Sequence, residues 1–156
     1  MSDGVERFLE SSRVLGHDVE VKRFPQGTRT AADAARAIGC ELAQIVKSLV
    51  FVADGRPVLA LTSGANRADA EKLRALTGAT TIRRADADAV RTVTGFAIGG
   101  TPPFGHPERI PTYVDESLLR FDEVWAGAGT PDAVFGIRPD ELLRATGGSV
   151  VDLREP

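Results

Sequence analysis

Lys47 is the residue of this chain whose surroundings most call for a chemical explanation. It interrupts Ile45-Val46-Lys47-Ser48-Leu49-Val50-Phe51-Val52, otherwise a run of β-branched, aliphatic and aromatic residues. On strand alternation it shares a face with Ile45, Leu49 and Phe51. Such a lysine either snorkels to water at a strand end or enters a pocket to hold an anion. A second feature is Gly95-Phe96-Ala97-Ile98-Gly99-Gly100-Thr101-Pro102-Pro103-Phe104-Gly105. Gly99 and Gly100 allow close approach of main chain to a ligand, and Pro102 and Pro103 stiffen the rest of the loop. Amide N–H groups of Gly99, Gly100 and Thr101 held in advance of binding would form an oxyanion hole without any side chain. The plainer reading is a turn between strands. A third feature is Thr62-Ser63-Gly64-Ala65-Asn66-Arg67. Small groups at Ser63, Gly64 and Asn66 suit contact with a ribose or phosphate ahead of a helix N-terminus, while Asn66 suits equally the cap of that helix.

Other chemistries find little footing. The two histidines, His17 and His106, lack metal-ligand spacing, and His106 is expected to be an exposed loop residue. Cys40, a lone cysteine, is expected to be a small core residue at a helix end. There is no Gly-x-Ser-x-Gly elbow, no Walker phosphate loop and no Rossmann fingerprint. No metal, cofactor or side-chain nucleophile is therefore expected. Phe24, beside Pro25, and Phe104 are candidates for stacking an adenine, with core packing as the alternative.

The elements that must position these groups follow from periodicity and punctuation. Helices are expected over 4–15 (capped by Ser2 or Asp3), 31–38 (capped by Thr30 and stopped by Gly39), 68–76 (Leu73 and Leu76 inward), 86–93 and 139–145. Strands are expected over 19–24, 45–52, 58–62, 80–83, 111–114, 123–126, 133–137 and 149–153, with 45–52 and 58–62 forming a hairpin across Asp54-Gly55-Arg56-Pro57. Without a regular strand–helix–strand beat, the fold class is α+β. We expect a mostly antiparallel mixed sheet, partly closed and barrel-like, with helices packed outside.

Size and charge set the frame. A chain of 156 residues, 42% hydrophobic and 26% charged, suits one globular domain spanning 1–156. Its formal net charge of −3 speaks against a protein that coats duplex DNA, without excluding local capture of a terminal nucleotide. The first residues carry no signal-peptide pattern, and no apolar run approaches the roughly 20 residues of a membrane helix. A soluble cytoplasmic protein is expected.

With the lysine-bearing strand, Ser63-Gly64-Ala65-Asn66-Arg67 and Gly99-Gly100-Thr101-Pro102-Pro103 in that order, the chain resembles the YbaK family. That family includes the insertion domains of bacterial prolyl-tRNA synthetases. The likeness runs from about Gly16 to Leu153. It implies an editing enzyme that deacylates mischarged tRNA, most naturally tRNA-Pro carrying cysteine, alanine or serine. It further implies that Lys47 orients the terminal nucleotide, that the Gly99–Pro103 amides place the scissile ester, and that Gly127-Ala128-Gly129 lines the pocket. Two positions depart from better-known members: Pro102 inside the loop, and Ser48 where the alanine-specific branch has asparagine. Both bear on which amino acid is removed. The expected partners are the 3′ end of an aminoacylated tRNA and a prolyl-tRNA synthetase. The alternative is a binding module for tRNA or synthetase that hydrolyses nothing.

Overall fold

The computed structural model describes residues 3–28 and 30–156. Among these, five α-helices and eight strands follow one another as α1 (Gly4–Val14), β1 (Val21–Arg23), α2 (Ala31–Ile38), β2 (Ile45–Ala53), β3 (Arg56–Ser63), α3 (Ala70–Thr77), β4 (Ile82–Arg84), α4 (Ala87–Thr94), β5 (Thr112–Asp115), β6 (Val124–Gly127), β7 (Ala133–Ile137), α5 (Pro139–Thr146) and β8 (Ser149–Val151). Helix boundaries fall where short polar side chains can accept from orphan amides. Asp3, Thr30 and Asp86 each accept from the amide three residues on, and Gly39, Gly78, Gly95 and Gly147 end helices in the left-handed region. Ser2, the other candidate cap of α1, lies outside the described residues.

Two local expectations around α3 are corrected. Asp69, not Asn66, caps this helix, accepting from the amides of Glu71 and Lys72. The cap therefore sits three residues later, and of the two leucines expected inward Leu73 is buried whereas Leu76 is 44% exposed. Asn66 is thereby left for other contacts.

The sheet is mixed, in the order β1-β7-β6-β2-β3-β5-β8, with β4 pairing to β2 off this path, and it is open at β1 and β8. β1 with β7, β7 with β6, β2 with β3 and β2 with β4 are antiparallel; β2 with β6, β3 with β5 and β5 with β8 are parallel. β2 is the hub. β3 covers one of its edges from Val46 to Ala53. The other edge is shared: Ile45 and Val46 pair with β6, whereas Phe51 to Ala53 pair with β4. Between them the sheet forks, and residues 47–50 have no strand partner on that side.

Alternation along β2 separates two apolar layers. Val46 and Val50 join the main core with Phe8, Phe104 and Phe135. Phe51 and Ala53 join a smaller cluster under α3, with Leu49 packed against it, while Ile45 packs with Trp125 and the alanines of α2. Lys47 does share the Ile45–Leu49–Phe51 face. No helix of the described residues is long and apolar enough to cross a membrane.

Candidate functional site

The fork opens into a cleft of about 640 Å³ that wraps the unpaired edge of β2, within the range of small-ligand pockets. Lys47, Ser48 and Leu49 form its floor. One wall is α2 with Trp125, through Ala31 and Ala34; the other is Val90 of α4 with Ala97, Gly99 and Thr101. Arg84, at the end of β4, stands on the rim. Of the residues lining it, none is histidine, aspartate or glutamate.

Lys47 is half-buried, and its Nζ donates to the main-chain carbonyl of Asn66 at 2.6 Å. Burial, with Arg84 and Arg67 nearby, pushes its ammonium below the ordinary lysine value, a trend that Asp115 opposes. Two cations, Lys47 and Arg84, thus line a cleft whose described lining holds no carboxylate, an arrangement suited to an anion. Sequence reasoning misses Arg84, because a charged residue in a short edge strand gives no signal until β4 is seen to end beside β2.

Ser63 and Asn66 act behind the site. The buried Asp115 carboxylate accepts from the Ser63 amide and Asn66 Nδ2, both at 3.0 Å, and from the Ser117 amide at 2.9 Å. Ser63 Oγ donates to the Ala43 carbonyl. This knot fixes the Asn66 carbonyl, and through it the Lys47 ammonium. Gly64 is required by packing, since a Cβ there would stand 2.5 Å from the Leu42 carbonyl oxygen. None of these three side chains lines the cleft.

The glycine-proline loop is held on three sides. Its turn closes through Gly100 N–H donating to the Ala97 carbonyl, with Gly99 at φ 87° in the third turn position, where a type II turn needs positive φ. Thr101 Oγ1 donates to the same carbonyl. The Gly129 amide donates to the Gly100 carbonyl, and a Cβ on Gly100 would lie 2.8 Å from Thr130 main chain. Gly100 N–H is thereby occupied inside the turn, which removes it from the expected donor set. The amides of Gly99 and Thr101 have no acceptor among the described residues. Pro102 and Pro103 do not line the cleft. Pro103 faces a second cavity of about 360 Å³, and the Pro102 carbonyl accepts from His106 Nε2 at 2.8 Å.

His106 is therefore half-buried rather than exposed. Burial pushes its pKa down, so the ring is neutral and Nε2 carries the hydrogen, since a carbonyl can only accept. Gly129, at φ 111° and pressed on the Gly4 main chain, braces the loop from behind, while Gly127 lines the cleft itself. Neither aromatic candidate lies in the cleft. Phe24 packs on the Trp125 cluster, and Phe104 stacks with Phe8 and Phe135 in the core. The aromatic wall is instead Trp125, whose outer side carries Lys22 at 5.2 Å. Cys40 is partly buried just past Gly39.

Known proteins share this architecture. Residues 25–145 match the model of the aminoacyl-tRNA editing domain. The uncharacterized protein YwhH of Bacillus subtilis is 33% identical over 124 residues, covering 79% of this chain and 78% of that protein. The proline–tRNA ligase of Maridesulfovibrio salexigens is 36% identical over 107 residues, 68% of this chain but 18% of the ligase. The chain thus spans about a fifth of the ligases it matches. Among solved structures, a candidate trans-editing enzyme for prolyl tRNA synthetase superposes with a TM-score of 0.94 at 46% identity, over 100% of this chain and 99% of that one. The hypothetical protein APE2540 does so at 0.87 and 31%, over 96% and 99%. An oily strand bearing an inward lysine, a forked sheet and a braced glycine loop thus occur in a chain that belongs to the aminoacyl-tRNA editing domain family.

Proposed function

We propose that this protein hydrolyses the ester linking a small, wrongly attached amino acid to the 3′ end of a tRNA, with tRNA-Pro as its carrier. The observation that supports this reading is that Lys47, Gly99 and Thr101 line one cleft, and that the amides of Gly99 and Thr101 have no acceptor among the described residues. Lys47, with Arg84 beside it, would hold a phosphate or ribose of the terminal nucleotide as a point charge. The Gly99 and Thr101 N–H groups would receive the ester carbonyl oxygen as it gains negative charge. Water adds to the carbonyl carbon, the bond from that carbon to the ribose oxygen breaks, and the released ribose oxygen takes up a proton from the attacking water. An aminoacyl ester is already an activated acyl group, so placement can supply much of the rate without a side-chain base.

The relatives that carry such a domain inside a proline–tRNA ligase favour prolyl-tRNA synthetase as the system served, and the cytoplasm, where charged tRNA resides, as the setting. The test is a panel of mischarged tRNAs, scored for free amino acid released by the purified protein. Release from at least one small mischarged acyl group, with prolyl-tRNA-Pro spared, is expected. Binding without turnover across the panel would make the chain a docking module instead.

A further inference from the structure

Ser48 is anomalous in three ways at once. Ser48 lines the cleft, and its Oγ is buried with no hydrogen-bond partner among the described residues. Its main chain lies in the fork. Ile45 C=O accepts from Gly64 N–H toward β3, and Val50 C=O accepts from Ala85 N–H toward β4. By strand parity the N–H and C=O of Ser48 point away from β3, into the stretch that neither β6 nor β4 reaches. Buried polar groups are ordinarily satisfied, and an orphan cluster at a cavity points to a ligand that completes it.

The surroundings say which part of the ligand meets which group. Ser48 Oγ projects to the face it shares with Val46 and Val50, where Val90 and Ala126 complete an apolar recess. Lys47 projects to the opposite face. A substrate anchored at Lys47 and passing its ester through the fork would meet the Ser48 main chain with its amino-ester group. It would then place its acyl side chain in the recess, against a lone hydroxyl. The other orphan, Thr62 Oγ1, sits opposite Lys47 in the register and does not line the cleft.

We infer that Ser48 selects a small acyl group bearing a side-chain hydroxyl, a seryl ester rather than an alanyl one. This rests on the deacylase reading and specifies its substrate. A recess with a committed polar group rejects the analogue that cannot pair with it, whereas a purely apolar recess discriminates weakly.

The experiment compares kcat/KM for one tRNA carrying seryl, alanyl or 2-aminobutyryl groups, the last replacing the hydroxyl with a methyl of similar size. Wild type should favour seryl over 2-aminobutyryl by about tenfold or more. Ser48→Ala should lower that ratio by about tenfold, and Ser48→Thr, which keeps a hydroxyl, should restore part of it. Ser48→Ala should also melt no lower than wild type, because the hydroxyl it deletes has no partner in the fold. Equal wild-type rates on seryl and 2-aminobutyryl esters would overturn this inference and leave the deacylase reading intact. So would a ratio unmoved by Ser48→Ala, or a clear loss of melting temperature in that variant. Absence of hydrolysis of all three esters would overturn both.

Discussion

The Lys47 ammonium donates to the Asn66 carbonyl at 2.6 Å, and Asn66 is itself pinned by Asp115. The lysine is thus aimed by a buried carboxylate that it does not touch. Its charge is held between a carbonyl dipole and two arginines, in a place where burial makes that charge costly.

Lys47→Ala should reduce deacylation by about 100-fold or more, the scale of losing one electrostatic anchor in a preorganised site. Circular dichroism should show an unchanged fold. Deacylation at the wild-type rate would remove Lys47 from the site.

Because the Lys47 ammonium titrates below the ordinary value of 10.5 in the fold, the unfolded chain holds that proton to higher pH. The stability contributed by this group therefore rises as pH climbs from the lowered value toward 10.5, and is flat below it. Lys47→Met lacks this dependence. Thermal unfolding followed from neutral pH up to 10.5, the ordinary lysine value, should show wild type gaining on the variant as pH increases. A wild type that loses ground to Lys47→Met over that span would mean the fold raises this pKa instead.

Gly99→Ala and Gly100→Ala should separate conformation from space. Gly99 has positive φ but nothing within 4 Å of an added Cβ, so the variant should lose about 1 kcal/mol of stability through strain. Gly100 has no such strain, but its Cβ would strike Thr130 main chain, which should cost about 1–3 kcal/mol. Both should depress kcat, since each disturbs the turn that leaves the Gly99 and Thr101 amides free. Denaturant titration beside steady-state kinetics checks the ordering.

Asp115→Asn should destabilise the protein by about 1–3 kcal/mol, because the buried carboxylate accepts three hydrogen bonds that an amide cannot all reproduce. It should also raise KM for tRNA by loosening Asn66 and hence Lys47. A stable variant with unaltered KM would show that the knot does not aim the lysine.

Arg84→Ala should weaken binding of a single-stranded acceptor end and reduce the salt slope of log Kd by roughly 0.7, the loss of one phosphate contact. An unchanged slope in a fluorescence titration between roughly 50 and 200 mM salt, the range over which such contacts are read, would place Arg84 outside the contact.

The order of helices and strands is a property of this sequence read locally. Apolar periodicity, short polar caps such as Thr30 and Asp86, and glycines after helix ends act within a few residues, so their consequences survive any tertiary arrangement. The same holds for Lys47, whose face on β2 comes from alternation alone. The features that the sequence leaves open depend on contacts between distant segments. Asn66 and Asp69 are both competent caps, and the choice falls to Asp69 because Asp115, 49 residues away, engages Asn66. Gly99, Gly100 and Thr101 look alike as donors until the turn closes on Ala97 and consumes one of them. The cleft exists because β6 and β4 each cover only part of one edge of β2, leaving Ser48 between them, and no local pattern encodes where two strands from different parts of the chain fall short of each other.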